Sequence, residues 1–452
     1  MSTDMLAVFD LGKTNAKLLT VSAATGEIVA QERTTPRQYL VDGICLLDHE
    51  ALWPWLNAAL ERAVAERNVS GLMFSTHGCC FAPIEGERLA AGIIDYEQAV
   101  PEDVDASFRA EAPPFGETFS PDLPAGLNFA RHIFWREIMD PALLRRVDAI
   151  LGYPQFWGWC FTGAKVSEVS YFGCHSHLWR PLEHDFSSLA YRHGWHEKFP
   201  AFRRAGDIVG ETRIAGRSIA IHNGVHDSNA ALYYYRSLGL ESFTLVSTGT
   251  WVIVFNPDCP LQALDPARDM LANVTVDGRP VATARFMGGR EYDAISQNSR
   301  VPVAAETLQR AIERGQFALP SFAPGGAFPH AQGRFAGPPA ETPEERAAIA
   351  TLYVAAMTAI VLDLIESRND VIVDGGLAGN AALLGVLAAL RPGQRVLRTS
   401  VAEGTALGAA ALAFEAQGRR DLFRPRIDEI APLRLTGLES YIADWMEMNA
   451  HG

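Results

Sequence analysis

LAVFDLGKTNAKLLTV, residues 6–21, reads as two strands folded about a polar turn. Residues 6–10 form a short apolar run that ends on Asp10, with Gly12 just beyond. The apolar pattern resumes at 18–21, and Ala23-Ala24-Thr25-Gly26 turns the chain into a third strand near 28–33. A unit of the same shape lies at 243–255, where β-prone residues 243–247 and 251–255 flank Thr248-Gly249-Thr250. No sequence repeat of 20–50 residues accompanies this likeness, so it is one of architecture.

Working outward, residues 50–67 carry apolar side chains at helical spacing, and Pro54 is expected in the first turn, where its missing N–H costs little. A strand at 71–75 follows. Residues 128–160 read as two further helices interrupted near Asp140-Pro141. The Gly-, Pro- and Ala-rich stretch 320–343 reads as loop, and 344–367 as a long helix. A strand at 371–374, a Gly375-Gly376 turn, a helix at 380–390 and an Ala-rich helix at 403–416 complete the pattern. A boundary near residue 240 divides the chain into two α/β halves, 1–240 and 241–452.

Composition narrows the function classes. The chain has 452 residues, 48% hydrophobic and 20% charged, enough for two sizeable cores and too apolar for disorder. A net charge of −14 argues against nucleic acid and anionic membranes as partners, because no basic excess exists to neutralise phosphates. It leaves room for a single nucleotide held by backbone N–H groups and a metal. The six cysteines show no CxxC pair, which reads as reduced thiols in a cytosol. The N-terminus has no signal-peptide pattern, and no uncharged apolar run approaches the roughly 18 residues of a membrane span. A cytoplasmic protein is the expectation.

Four segments could carry chemistry. In Asp10-Leu11-Gly12-Lys13-Thr14-Asn15, a carboxylate at a strand end precedes a turn whose N–H groups could meet phosphate oxygens, while Asp10 could hold a metal-bound water. Ser247-Thr248-Gly249-Thr250-Trp251 offers hydroxyls and a glycine in a second hairpin. Asp374-Gly375-Gly376-Leu377-Ala378-Gly379-Asn380 leads a strand into a helix through glycines that permit close approach of a base or ribose. It lacks the Gly-x-Gly-x-x-Gly of a dinucleotide-binding turn. Glu403-Gly404-Thr405-Ala406-Leu407-Gly408 opens a helix of small residues suited to close packing. Taken singly, each has an ordinary structural reading: a turn, a Thr/Gly hairpin, a strand–helix connection, a core helix.

Together, in this order and at these separations, the four segments resemble the phosphate, connecting and adenosine motifs of the actin/hexokinase/Hsp70-like ATPase superfamily. More narrowly, residues 5–415 resemble the FGGY family of carbohydrate kinases, its rhamnulokinase- and fuculokinase-type members in particular. Val225-His226-Asp227-Ser228 is similar to their His-Asp motif, and Ser247-Thr248-Gly249-Thr250-Trp251 to their Ser-Ser-Gly-Thr-Trp. Tyr153-Pro154-Gln155-Phe156-Trp157, leading to Phe161-Thr162-Gly163, resembles the segment that ends in Leu-Thr-Gly, with Glu168 beyond it.

The resemblance implies two actin-like (ribonuclease H-like) α/β domains flanking an ATP/sugar cleft. The first would bind sugar and supply the base, and the second would bind nucleotide. It implies ATP-dependent phosphorylation of a small ketose, a 6-deoxyhexulose such as L-rhamnulose or L-fuculose, with Asp227 as the base. Phosphoryl transfer to a hydroxyl needs such a carboxylate. Read alone, His226-Asp227 is a helix start in which Asp227 caps residues 228–238. Asp10 would organise Mg²⁺. Gly12, Lys13, Thr14, Asn15, Thr248, Gly249 and Thr250 would hold phosphates, and Gly375, Gly376 and Asn380 would border the adenosine. His77, Gly78, Asp95, Tyr96, Glu168 and His226 would meet the sugar.

Two departures from the family pattern fall at substrate positions. Cys79-Cys80 stands where rhamnulokinases carry an Asp two residues beyond the glycine, and Asp95-Tyr96 lacks the usual Asp and Arg immediately after. A pentulose (xylulose or ribulose) or glycerol kinase is the alternative enzyme, and a non-catalytic sugar or nucleotide sensor the alternative of another class. An Hsp70-like chaperone would need a peptide-binding domain for which no chain remains. A homodimer is the default assembly. His175-Ser176-His177 has no third metal ligand at a recognisable spacing, and adjacent cysteines such as Cys79-Cys80 rarely form a relaxed disulfide.

Overall fold

The computed structural model describes residues 4–240, 242–299, 301–399, 403–420 and 422–450. The chain forms two compact units. Unit 1 comprises Met1–Leu240, Ala272–Pro280 and Glu403–Arg424, and unit 2 comprises Glu241–Leu271, Val281–Ala402 and Pro425–Gly452. The second half is therefore not a continuous 241–452 block, because two of its segments pack into unit 1.

Unit 1 is built on a mixed sheet. The strands Met5–Leu11, Ala16–Ser22 and Ile28–Thr34 form an antiparallel meander, and Met5–Leu11 also pairs in parallel with Val69–Thr76. On the far side of Val69–Thr76 lie Arg217–His222 and the short strand Val225–His226, both parallel to it. The helix His49–Glu66 buries Leu52, Leu56, Leu60 and Val64, which join a core containing Phe9, Phe74 and Trp157.

Asp48 caps that helix by accepting from the Ala51 N–H, so Pro54 lies inside the helix and not in its first turn. The cap two residues earlier outcompetes the proline as the start signal. The expected helix pair at 128–160 is also corrected. Phe129–Met139 and Tyr153–Thr162 are helices, but Ala149–Gly152 between them is a strand paired with Phe81–Glu85.

Unit 2 repeats the plan. Phe243–Thr248, Val252–Asn256 and Pro280–Phe286 are antiparallel neighbours, and Phe243–Thr248 pairs in parallel with Asp370–Gly375, itself parallel to Val396–Thr399. The Gly- and Pro-rich stretch 320–343 is mostly irregular but contains the strand Arg334–Ala336. Helix Pro343–Leu364 starts with proline in its first turn behind a Thr342 cap. By a mean hydropathy of 2.0 it is long and apolar enough to cross a membrane, against the sequence expectation, yet 78% of its apolar window is buried. A helix apolar all round is what the core of a large unit requires.

Candidate active site

In unit 1 the register aligns the carboxyl ends of three parallel strands. Asp10 lies opposite Ser75, which lies opposite Val225. One residue further, Leu11, Thr76 and His226 form the next row. Helix Asp227–Ser237 starts where this row ends. It packs against helix Gly404–Ala416 so closely that a Cβ on Gly408 would overlap the Ala230 carbonyl, and Glu403 stands at the head of that second helix. The carboxyl ends of parallel strands are where α/β sheets place ligands.

Asp10, Asp227 and Glu403 form an acidic group served by one ammonium. Lys17, the cross-strand partner of Asp10, pairs with Glu403 at 2.7 Å. Burial, then the charges of Asp227 and Glu403, push the Asp10 carboxyl up to about 7, against the opposing pull of Lys17 and the Ser75 hydroxyl. Three carboxylates that feel one another's charge, with one ammonium to offset them, leave surplus negative charge that a hydrated divalent cation could balance.

Asp227 is the first helical residue, not a cap outside the helix. Its Oδ1 accepts from the Ser228 N–H at 2.6 Å and the Ser228 hydroxyl at 3.2 Å, and lies 3.2 Å from His226 Nε2. The Asn229 amide donates to His226 Nδ1 at 3.0 Å and to the Ser170 carbonyl at 3.4 Å. This orientation puts the imidazole proton on Nε2, facing Asp227. Burial holds both His226 and His77 below the usual histidine range. Gly78 is bare because a Cβ there would lie 2.9 Å from His226 Nε2.

The His77 ring stands 5.4 Å from that of Tyr96 and 5.0 Å from that of Tyr153. Lys13, expected at a phosphate, is engaged by carboxylates. Its Nζ pairs with Asp95 at 2.8 Å and Glu97 at 2.5 Å and lies 4.7 Å above the Tyr96 ring. Burial opposes its charge, but the two carboxylates hold its pKa above the ordinary lysine value. Asp95 is 1% exposed, and its Oδ2 has no partner among the described residues. The Gly12 N–H donates to the Asn15 carbonyl at 3.0 Å, leaving Thr14 and Asn15 exposed at the turn.

Glu168 is sealed. It caps helix Val169–Phe172, accepting from the N–H groups of Ser170 and Tyr171 and from the Ser170 hydroxyl, and burial raises its carboxyl to about 7. Tyr171 in turn donates its hydroxyl proton to the Cys80 carbonyl at 2.5 Å. Glu168 thus holds the wall on which Cys80 sits.

In unit 2 the strand ends Thr248 and Gly375 are register partners. Thr248 Oγ1 donates to the Asp374 carbonyl at 2.5 Å and accepts from the Leu377 N–H at 3.0 Å. Gly375 has φ +86°, and a Cβ there would overlap the Thr248 carbonyl oxygen. Gly249 and Thr250 are exposed at the hairpin turn. Beside it opens a cavity of about 410 Å³, lined by Gly376, Gly379 and Asn380 on one side and by Tyr292, Ser299 and residues 301–303 on the other. Asn380 also caps helix Ala381–Leu390 by accepting from the Leu383 N–H.

The family model for the carbohydrate kinase FGGY C-terminal domain matches residues 240–421. A carbohydrate kinase from Novosphingobium aromaticivorans is similar over 100% of both chains, at 35% identity and a TM-score of 0.89. The chain belongs to the FGGY carbohydrate kinases. Two more distant solved structures share the fold. The xylulose kinase from Lactobacillus acidophilus is 12% identical, with 99% of this chain and 96% of that one covered and a TM-score of 0.80. The glycerol kinase from Plasmodium falciparum is 13% identical, with 99% and 98% covered and a TM-score of 0.78. No curated protein sequence matches.

As a member of this family the chain is an enzyme that phosphorylates a sugar with ATP, which disposes of the sensor and chaperone alternatives. Three features of this FGGY kinase escaped the sequence reading. Glu403 reads in the sequence only as a helix start, and its approach to Asp10 depends on the packing of that helix against the Asp227 helix. Lys17 belongs to the polar stretch between the two apolar runs, and only the strand register sets it opposite Asp10. The 292 and 301–303 wall of the unit 2 cavity has no motif and is joined to Gly376 only by folding.

Proposed function

We propose that this kinase phosphorylates a hydroxyl of a small ketose, with Asp227 as the general base. The reading rests on one observation above the others: Asp10 and Asp227 stand at the carboxyl ends of the unit 1 strands, close enough for the Asp227 charge to push the Asp10 carboxyl up. Oδ1 of Asp227 is spent on Ser228 and His226, so Oδ2 takes the hydroxyl proton. The His226 N–H steadies the carboxylate and then faces the sugar beside His77. Asp95 Oδ2, buried and unmatched, accepts from a second sugar hydroxyl, and Lys13 holds the Asp95–Tyr96 segment in place.

Mg²⁺, held through water by Asp10 with Glu403, supplies charge neutralisation to the phosphates. Unit 1 is the sugar domain, and unit 2 the nucleotide domain. In unit 2 the Gly249 N–H closes the turn on the Trp251 carbonyl at 2.7 Å, so the exposed Thr250 meets phosphate oxygens at this turn, and the cavity beside Gly376 and Asn380 takes the adenosine. In unit 1, Gly12, Thr14 and Asn15 meet phosphate, whereas Lys13 does not. Glu168 positions the wall and does not touch sugar. A cytoplasmic homodimer remains the working assembly.

Among ketoses, the His226-Asp227 motif favours a 6-deoxyhexulose such as L-rhamnulose or L-fuculose. The test is ADP release from Mg²⁺-ATP against a panel of ketoses including xylulose and ribulose, with glycerol and sugar-free controls. Turnover with a 6-deoxyhexulose at the highest kcat/KM is expected. A preference for a pentulose or glycerol would overturn the substrate assignment while leaving Asp227 in its role.

A further inference from the structure

Beside the proposed base lies a second group of ligating side chains whose chemistry is different. Cys79 follows strand Val69–Thr76, and Cys174 and His175 follow helix Val169–Phe172. Two thiol sulfurs and a ring nitrogen converge there, all within 4.8 Å of one another and all on buried residues. Tetrahedral Zn²⁺ with Zn–S bonds of about 2.3 Å holds its ligand atoms about 3.3–3.8 Å apart, so a small closing movement completes the set.

Three details fit a metal centre. The Leu127 carbonyl lies 2.6 Å from His175 Nδ1 and accepts its proton, which leaves the ligating lone pair on Nε2. Such an outer hydrogen bond orients most metal-binding histidines. Cys79 and His175 both hold left-handed backbone, φ 68° and φ 40°, a strained conformation found at ligand clamps as well as at ordinary turns. A fourth donor stands within reach, for His226 Nε2 is 3.6 Å from Cys174 Sγ. His177, which the sequence pairs with His175, instead turns towards the Thr118 hydroxyl.

We propose that Cys79, Cys174 and His175 bind one thiophilic divalent cation, Zn²⁺, and that His226 completes its shell. Binding displaces the two thiol protons to solvent, and the His226 proton moves from Nε2 to Nδ1, where the Asn229 side chain turns its amide oxygen to accept it. Mg²⁺ prefers carboxylate and water oxygens, so the nucleotide's own cation does not compete for these sulfurs. His226 cannot serve the metal and Asp227 with the same Nε2, so an occupied site slows phosphoryl transfer. That second consequence rests on the proposed role of Asp227, and the first does not.

The test uses the full chain, stripped of metal and dialysed against Zn²⁺ in millimolar Mg²⁺, with bound zinc measured by mass spectrometry. One zinc per chain is expected, with affinity at least about tenfold weaker in Cys79→Ala and in Cys174→Ala. Cd²⁺ added to the unmutated chain should give the ultraviolet charge-transfer band of a cadmium thiolate, a readout that needs no variant to fold. Absence of that band, or undiminished zinc in the Cys79→Ala/Cys174→Ala variant, would overturn the site. Each protein's sugar-dependent rate with Mg²⁺-ATP, relative to its own zinc-free rate, should fall at least about tenfold with zinc in the unmutated chain only. An unchanged rate in zinc-loaded, unmutated enzyme would overturn the coupling to His226.

Discussion

The hairpin turn at 12–15 in unit 1 and the one at 248–250 in unit 2 follow the same strand plan and are stabilised differently. Around the first, charge decides the geometry: Lys13 is drawn to Asp95 and Glu97, and Lys17 to Glu403, while Asp10 is pressed by two carboxylates. The second is held by neutral backbone contact, with Thr248 bridging Asp374 and Leu377 and a bare Gly375 admitting the Thr248 carbonyl. One strand plan thus carries a group of interacting carboxylates in unit 1 and, in unit 2, an uncharged turn closed by the Gly249 N–H on the Trp251 carbonyl. The charged edge should fail through chemistry, and the neutral edge through shape.

The largest expected effect breaks the charged edge. Asp227→Asn keeps an acceptor for the Ser228 N–H, so the helix start survives while the base is lost. Turnover should fall roughly 10²–10⁴-fold, with ATP and sugar binding retained by calorimetry. A near-wild-type rate would remove Asp227 from the mechanism. A smaller effect breaks the neutral edge. Gly375→Ala puts a side chain at φ +86° against the Thr248 carbonyl. It should lose about 1–3 kcal/mol of unit 2 stability and weaken ADP binding. Gly379→Ala is the matched control, for nothing lies within 4 Å of its added Cβ. Its stability should stay within about 0.5 kcal/mol of wild type. If both glycine variants melted and bound ADP alike, backbone contact would not be what holds the second turn.

The two edges were also unequally legible in the sequence. The glycines and hydroxyls of 247–250 and 374–380 advertise their turns locally, and both strand pairs emerged where the apolar runs place them. The charged edge depends on residues far apart in the chain. Glu403 reaches Asp10 only because residues 403–424 return to unit 1, a packing event with no local signature. Glu168 reads from its resemblance as a sugar ligand and caps a helix in the structure, two uses of a carboxylate that spacing cannot separate. The strand Ala149–Gly152 was hidden because its apolar run continues the helical pattern on both sides, and only its partner Phe81–Glu85 decides its form.

The smallest expected effect sharpens the comparison through stability. Asp10 is the residue whose ionisation the charged edge opposes most plainly, since its carboxyl rises from 3.8 to about 7. A carboxyl raised on folding binds its proton more tightly in the native state, so the native state gains stability as pH falls from about 7 towards 3.8. Above pH 7 the buried charge costs stability, by an amount that cannot exceed about 4 kcal/mol for a shift of this size. Asp10→Asn removes the charge and keeps the shape. Without Mg²⁺ or nucleotide, it should melt at a higher temperature than wild type at pH 8, and the gap should close by about pH 4. The same variant should lose most of its kinase activity, because the cation loses its carboxylate. An Asp10→Asn protein no more stable than wild type at pH 8 would mean that Lys17 and Ser75 already neutralise this edge, and that the contrast between the two turns is one of residue type and not of stored electrostatic cost.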